Sequence, residues 1–213
     1  MVTGDNLLTA TSVARECGIL RPHTTVYILE HTVDKDDATH RPRLTLRLES
    51  EPVEVTPRDG VPEIAFKNGT EADKALSNGN GFTNGLSIFA DQRSLASTYQ
   101  LIVTGPTFAV VIHEYPELVD KVVAVAAVFA RMAPDQKAAL INHLQEIDYT
   151  VAMCGDGAND CAALKAAHAG ISLSEAEASI AAPFTSRTAD ISCVPSVIAE
   201  GRAALVSSFG IFQ

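Results

Sequence analysis

Apolar positions in this chain fall into short blocks of two rhythms, and their alternation predicts an α/β fold. Leu7, Leu8, Val13 and Ala14 recur at helical spacing, so Asn6 to Cys17 is predicted as a helix stopped by Gly18. Val26 to Glu30 follows as a strand. Regular pattern returns at Leu101-Ile102-Val103, with a helix after Thr104-Gly105-Pro106 that runs through Ile112. Val125 to Phe129 is apolar without alternation, as in a strand covered on both faces. Pro134 opens a helix at the position where proline is best tolerated, and Leu140, Ile141, Leu144 and Ile147 form its apolar side. Thr150 to Met153 reads as the next strand, running into a Gly155-Asp156-Gly157 turn and a helix through Ala167. Gly170 to Leu173 is a short strand, and a last helix begins near Pro195. Such alternation predicts a doubly wound parallel sheet with helices on both faces.

The rhythm is lost between these blocks. From Thr32 to Gln100, Pro42, Pro52, Pro57 and Pro62 and the run Ser77-Asn78-Gly79-Asn80-Gly81 break any long period. Only Leu44-Thr45-Leu46-Arg47-Leu48 alternates, as a short exposed strand would. Residues 32–99 are therefore expected to form a large irregular surface insertion, partly disordered, in a domain built from 1–31 and 100–194. Both ends look cut. A turn-like Thr3-Gly4-Asp5 opens the chain with no strand before it, and the final helix, 195–213, meets no stop signal.

Composition narrows the chemistry. The formal net charge of −10 argues against a nucleic-acid surface, which needs clustered Lys and Arg. The longest apolar run, Val122 to Ala130, is nine residues, against the roughly 20 that cross a bilayer, so these residues are expected to be soluble. Cys17, Cys154, Cys161 and Cys193 lack the CxxC spacing of a zinc site and are expected to be reduced, buried thiols. His113, His143 and His168 each stand alone and read as structural or surface side chains.

Chemistry concentrates in three segments. Gly155-Asp156-Gly157-Ala158-Asn159-Asp160 follows a strand and opens a helix, placing two carboxylates at the carboxyl edge of a sheet, where α/β folds collect ligands. Hard oxygen donors beside free backbone N–H groups suit Mg²⁺ and a phosphoryl group. Lys137 lies in the first turn of the helix opened by Pro134, a mildly unfavourable place for a cation that phosphoryl oxygens would justify. Thr3-Gly4-Asp5 offers a hydroxyl and N–H groups to an anion. These loops are expected to meet around one divalent cation.

Taken together, Thr3-Gly4-Asp5-Asn6, Met132-Ala133-Pro134-Asp135-Gln136-Lys137 and Gly155-Asp156-Gly157-Ala158-Asn159-Asp160 resemble the phosphorylation domain of P-type ATPases, in the haloacid-dehalogenase-like superfamily with its Rossmann-like sheet. Phe129-Ala130-Arg131-Met132, Thr104-Gly105-Pro106-Thr107-Phe108 and Pro183-Phe184-Thr185-Ser186 have the character of the type V, animal polyamine-transporter-like subgroup. The resemblance implies ATP and Mg²⁺ as ligands, with an aspartate attacking the γ-phosphoryl and water later hydrolysing the acyl phosphate. It implies Asp156 as direct metal ligand and Asp160 as a residue completing or orienting that shell. Lys137 and Thr3 would hold phosphoryl oxygens, with Gly4, Asp5 and Asn159 as further nucleotide or phosphoryl contacts. The parent would be an integral membrane cation or polyamine pump, endosomal or lysosomal, with this segment facing the cytosol and 195–213 leading to a membrane stalk. The phosphorylated Asp-Lys-Thr-Gly-Thr segment of that family does not occur in this sequence. The isolated chain is thus expected to be inactive and to depend on the remaining domains of the pump. Two alternatives stay open: a soluble phosphatase of the same superfamily, which shares the Gly-Asp-Gly-Ala-Asn-Asp block, and a catalytically dead binding fragment.

Overall fold

A computed structural model describes residues 1–33, 42–49, 99–173 and 179–211. They divide into two compact units, Met1–Met132 and Ala133–Gln213.

The first unit carries a four-stranded ladder in the order β2-β1-β3-β4: β1 (Thr25–Thr32), β2 (Arg43–Leu48), β3 (Tyr99–Thr104) and β4 (Ala126–Ala130). β1, β3 and β4 run parallel, and β2 pairs antiparallel on the outside of β1. β3 lies in the interior of the ladder, so all but its last residue are buried. Side chains alternate across a strand. Ile102, Val128 and Ala130 therefore join Val26 and Ile28 on one face, where Ala10 and Ala14 of α1 (Leu7–Glu16) complete the core cluster. On the other face, Phe129 meets Phe108 edge-on at 5.5 Å, an aromatic pair worth about 0.5–1.5 kcal/mol beyond its burial. Phe108 belongs to α2 (Gly105–Glu114), which is followed by α3 (Pro116–Val125). Helices thus cover both faces of this ladder.

α1 starts where Asn6 caps it, its side chain accepting from the Thr9 amide at 3.0 Å, and ends before Gly18, whose φ of 70° suits a residue without Cβ. Residues 1–3 extend the ladder at its β4 edge. Val2 bridges Phe129, the Thr3 amide donates to the Phe129 carbonyl at 2.9 Å, and the Met132 amide donates to Thr3 at 2.9 Å.

The second unit carries a parallel three-stranded ladder, β5 (Ala152–Gly155), β6 (Ala169–Ser172) and β7 (Phe184–Thr185). α4 (Pro134–Glu146) buries Leu140 and Ile141 as expected, and α5 (Cys161–Ala166) buries Ala163 and Leu164. α6 (Cys193–Ile211) buries none of its 19 residues. No described helix is long and apolar enough to cross a membrane.

The α/β class and parallel pairing agree with expectation, while the strands form two ladders within the described residues. Two expectations change and a third holds. The strand expected at Val125 to Phe129 runs one residue later, Ala126–Ala130, because Val122–Val125 closes α3, a helix the sequence reading passed over. β5 begins two residues later than Thr150, because Tyr149 and Asp148 still cap α4 through bonds to Leu144 and Gln145. The short strand expected at Leu44 to Leu48 is present as β2, at the edge of the ladder and in register with β1 from Tyr27↔Leu48 to Thr32↔Arg43. Pro52, Pro57, Pro62 and residues 77–81 lie outside the described residues.

Candidate functional site

β5 delivers the Gly-Asp-Gly turn at the carboxyl end of its ladder, with Gly155 paired to Ser172 of β6. Asp156 comes next and is exposed. The chain then closes a 3₁₀ turn, Ala158–Asp160, in which the Asp160 amide donates to the Gly157 carbonyl at 3.0 Å. That turn leaves Asn159 exposed and carries Asp160 inward, to 8% exposure.

Lys137 meets it there. Pro134 fixes the start of α4, the Gln136 side chain accepts from the Ala133 amide at 3.0 Å, and Lys137 one residue further on is also only 8% exposed. Its Nζ donates to Oδ1 of Asp160 at 2.8 Å. A solvated surface lysine is therefore excluded. Two charges removed from water at this distance are costly unless paired, so each holds the other in place. Asp156 and Lys137 of the expected constellation thus lie in one unit, with Asp160 bound to the lysine.

The donor set bears on magnesium. Among the described residues no group of three or more His, Cys, Asp or Glu side chains is placed to hold a metal. Asp156 offers an exposed carboxylate, whereas Asp160 already has one oxygen on an ammonium. Mg²⁺ commonly keeps several waters and uses one or two carboxylates plus substrate phosphate. The residues fit that mode and not an all-protein cage.

Thr3, Gly4 and Asp5 belong to the first unit. Thr3 Oγ1 donates to Asp5 Oδ2 at 3.0 Å and accepts from the Asp5 amide at 3.1 Å, so the turn is closed on itself. Asn6, and not Thr3 or Asp5, caps α1. Gly4 and Asp5 are exposed.

Sequence reading missed Thr104 and Arg131 as site candidates. Together with Asn6, Leu7, Leu8 and Pro106 they line an open cleft of about 450 Å³ in the first unit. Behind it, Thr104 and Thr107 hydroxyls lie 3.0 Å apart and Thr107 meets His31 Nδ1 at 3.1 Å. Their signal was position: Thr104 ends β3, and Arg131, at φ 53°, directly follows β4.

The four cysteines are free, as expected, but not buried: Cys17 is exposed and the others are half-exposed. Cys17, Cys161 and Cys193 sit at helix ends, and Cys154 lies within β5. Burial, then the neighbouring Cys193 and Asp156, raises the Cys154 thiol above its ordinary pKa. His168 is structural, its Nδ1 accepting from the Val151 amide at 3.2 Å.

No protein-family profile matches the chain. It is 56% identical over 223 residues to the probable cation-transporting ATPase catp-6 of Caenorhabditis elegans, which takes in 100% of the chain and 17% of that relative. It is 45% identical over 214 residues to the polyamine-transporting ATPase 13A2 of Homo sapiens, and 44% over 217 residues to the human polyamine-transporting ATPase 13A3. Each of those alignments covers 100% of the chain and 16% of the relative. The chain therefore spans about one sixth of the length of the curated relatives it matches.

Proposed function

This chain belongs over its whole length to the type V P-type ATPases, and we propose that it supplies the phosphoryl-handling residues of an ATP-driven cation pump, with a polyamine as cargo. The buried Lys137–Asp160 pair, with the exposed carboxylate of Asp156 four residues earlier in the same turn, carries this reading.

Phosphoryl transfer asks a protein mainly for positioning and for charge placed where negative charge develops. Lys137 brings a cation whose direction is fixed before substrate arrives, because Asp160 and the surrounding core leave it little freedom. Asp160 acts as a positioning residue for that ammonium, which favours orienting over direct ligation for it. Asp156 is free to hold Mg²⁺, and the ion would neutralise phosphoryl oxygens and align them for in-line attack. Thr3 and Gly4 would add a hydroxyl and an N–H group to the phosphoryl oxygens, once the Thr3–Asp5 bond gives way. Asp5 and Asn159 would make further nucleotide-side contacts. The acceptor aspartate is not among these 213 residues, since Asp-Lys-Thr-Gly-Thr is absent from the sequence. The chain alone would then form no phosphoenzyme, and it acts with the rest of an integral membrane protein. The endosomal or lysosomal site, the cytosolic side and the partners ATP and polyamine belong to the same reading, and the relatives' names favour the pump over a soluble phosphatase.

The test is acid-stable phosphoenzyme formed from radiolabelled ATP by the parent transporter. Asp156→Asn and Lys137→Ala are expected to abolish it. Asp156 is exposed, so its variant separates chemistry from folding. A normal phosphoenzyme level in Asp156→Asn refutes the assignment.

A further inference from the structure

β5 ends in a residue without a side chain, and the space this leaves is filled. A Cβ on Gly155 would lie 2.7 Å from Oδ2 of Asp160 and 2.9 Å from its Cβ and Cγ, closer than real atoms of these kinds approach. The backbone does not demand glycine there: among the described glycines only Gly18 has a left-handed φ. What demands it is the neighbour. The Asp160 carboxylate has Oδ2 in the space a Gly155 side chain would take and Oδ1 on the Lys137 ammonium.

Asp160 cannot retreat without consequence. Its amide is tied to Gly157, and it leads into α5, whose Ala163 and Leu164 are almost wholly buried. A methyl group at 155 meets Asp160 Cβ as well as its carboxylate, so turning the carboxylate alone does not make room and the turn itself must shift. That movement carries the carboxylate off Lys137 and parts the ion pair.

We propose that Gly155 is a positioning residue: its missing side chain sets where Asp160 sits and, through Asp160, where the Lys137 ammonium points. The functional meaning of this inference rests on Lys137 being the phosphoryl-facing cation proposed above. A purely local role for Gly155 in strand packing predicts lower stability with Lys137 undisturbed, so the readout must be taken at Lys137.

The experiment is competitive acylation of lysines in the folded 213-residue chain, followed by peptide mass spectrometry, with exposed Lys165 as internal reference. Wild-type Lys137 is expected to be protected. Gly155→Ala should raise its acylation relative to Lys165 roughly tenfold or more, the scale set by opening a buried ion pair. Asp160→Gly should raise it to a similar level, and Gly155→Ala should add nothing in that background, where no side-chain atom is left at 160 to meet the new methyl. Unchanged protection in Gly155→Ala overturns the proposal, as do additive effects in the double variant. Should Gly155→Ala fail to fold, circular dichroism of Gly155→Ala/Asp160→Gly decides. Recovery of the native spectrum assigns the clash to Asp160, and no recovery overturns it. Acylation requires neither nucleotide nor magnesium, so its outcome is distinct from that of the phosphoenzyme test.

Discussion

Two short polar pairs lie beyond strand ends, one in each unit, and they differ in almost everything except length. Thr3 and Asp5 share a 3.0 Å bond in the open. Lys137 and Asp160 share one of 2.8 Å that water scarcely reaches. The exposed pair competes with solvent and reforms at little cost, so it can release its hydroxyl to a ligand. The buried pair has already given up its hydration, and each partner is stranded if the other leaves. One is a latch that opens; the other is a fixture that aims.

Removing one half of the fixture breaks this contrast most sharply. Lys137→Ala leaves the Asp160 carboxylate buried and alone, and urea unfolding should show the second unit losing on the order of 3–5 kcal/mol. Lys137→Met combined with Asp160→Ala should recover much of that loss, since neither charge is then stranded. The first unit has its own sensitive point in Tyr99, which meets Tyr27 edge-on with centroids 6.0 Å apart. Burial, then Tyr27, pushes its phenol up to about 12. A raised folded pKa means the protonated form is favoured by folding. The contribution is complete below the ordinary value near 10 and is lost as pH rises from there through about 12. Absorbance of the phenolate should show this late ionisation, and Tyr99→Phe should remove about 1–2 kcal/mol of the alkaline loss, allowing for solvent screening. A smaller effect is expected at Asn6, where Ala deletes the cap of α1 and should cost about 1 kcal/mol in thermal unfolding. Least of all, Thr3→Ala should change stability by no more than about 0.5 kcal/mol, as surface polar changes do. A loss at Thr3 as large as that at Lys137 would erase the distinction between latch and fixture.

Much of this was legible along the chain. The starts of α1 and α4 follow from Asn6 and Pro134, local signals that tertiary packing did not override. The Gly-Asp-Gly turn followed its strand as its pattern required. α3 was not seen because Val122–Val125 and Ala126–Ala130 make one unbroken apolar run, in which a helix end and a buried strand look alike. In hindsight Pro116, with Leu118, Val119, Val122 and Val123 on one side, marks the helix. The bond between Lys137 and Asp160 had no local signature, since the two are 23 residues apart and belong to separate elements. Nothing in the pattern said the lysine would be buried. The space at Gly155 was equally hidden, because a turn glycine and a glycine crowded by a neighbour are the same letter.

The amine of Met1 donates to the Ala127 carbonyl at 2.7 Å, and burial lowers its pKa. That bond needs only a hydrogen on nitrogen, whereas a positive charge at the same spot is penalised by its surroundings. Acetylating this nitrogen, or joining it to a purification tag through a peptide link, keeps the hydrogen and removes the charge. Protein made with such a blocked front end should be at least as robust as protein made with a bare one.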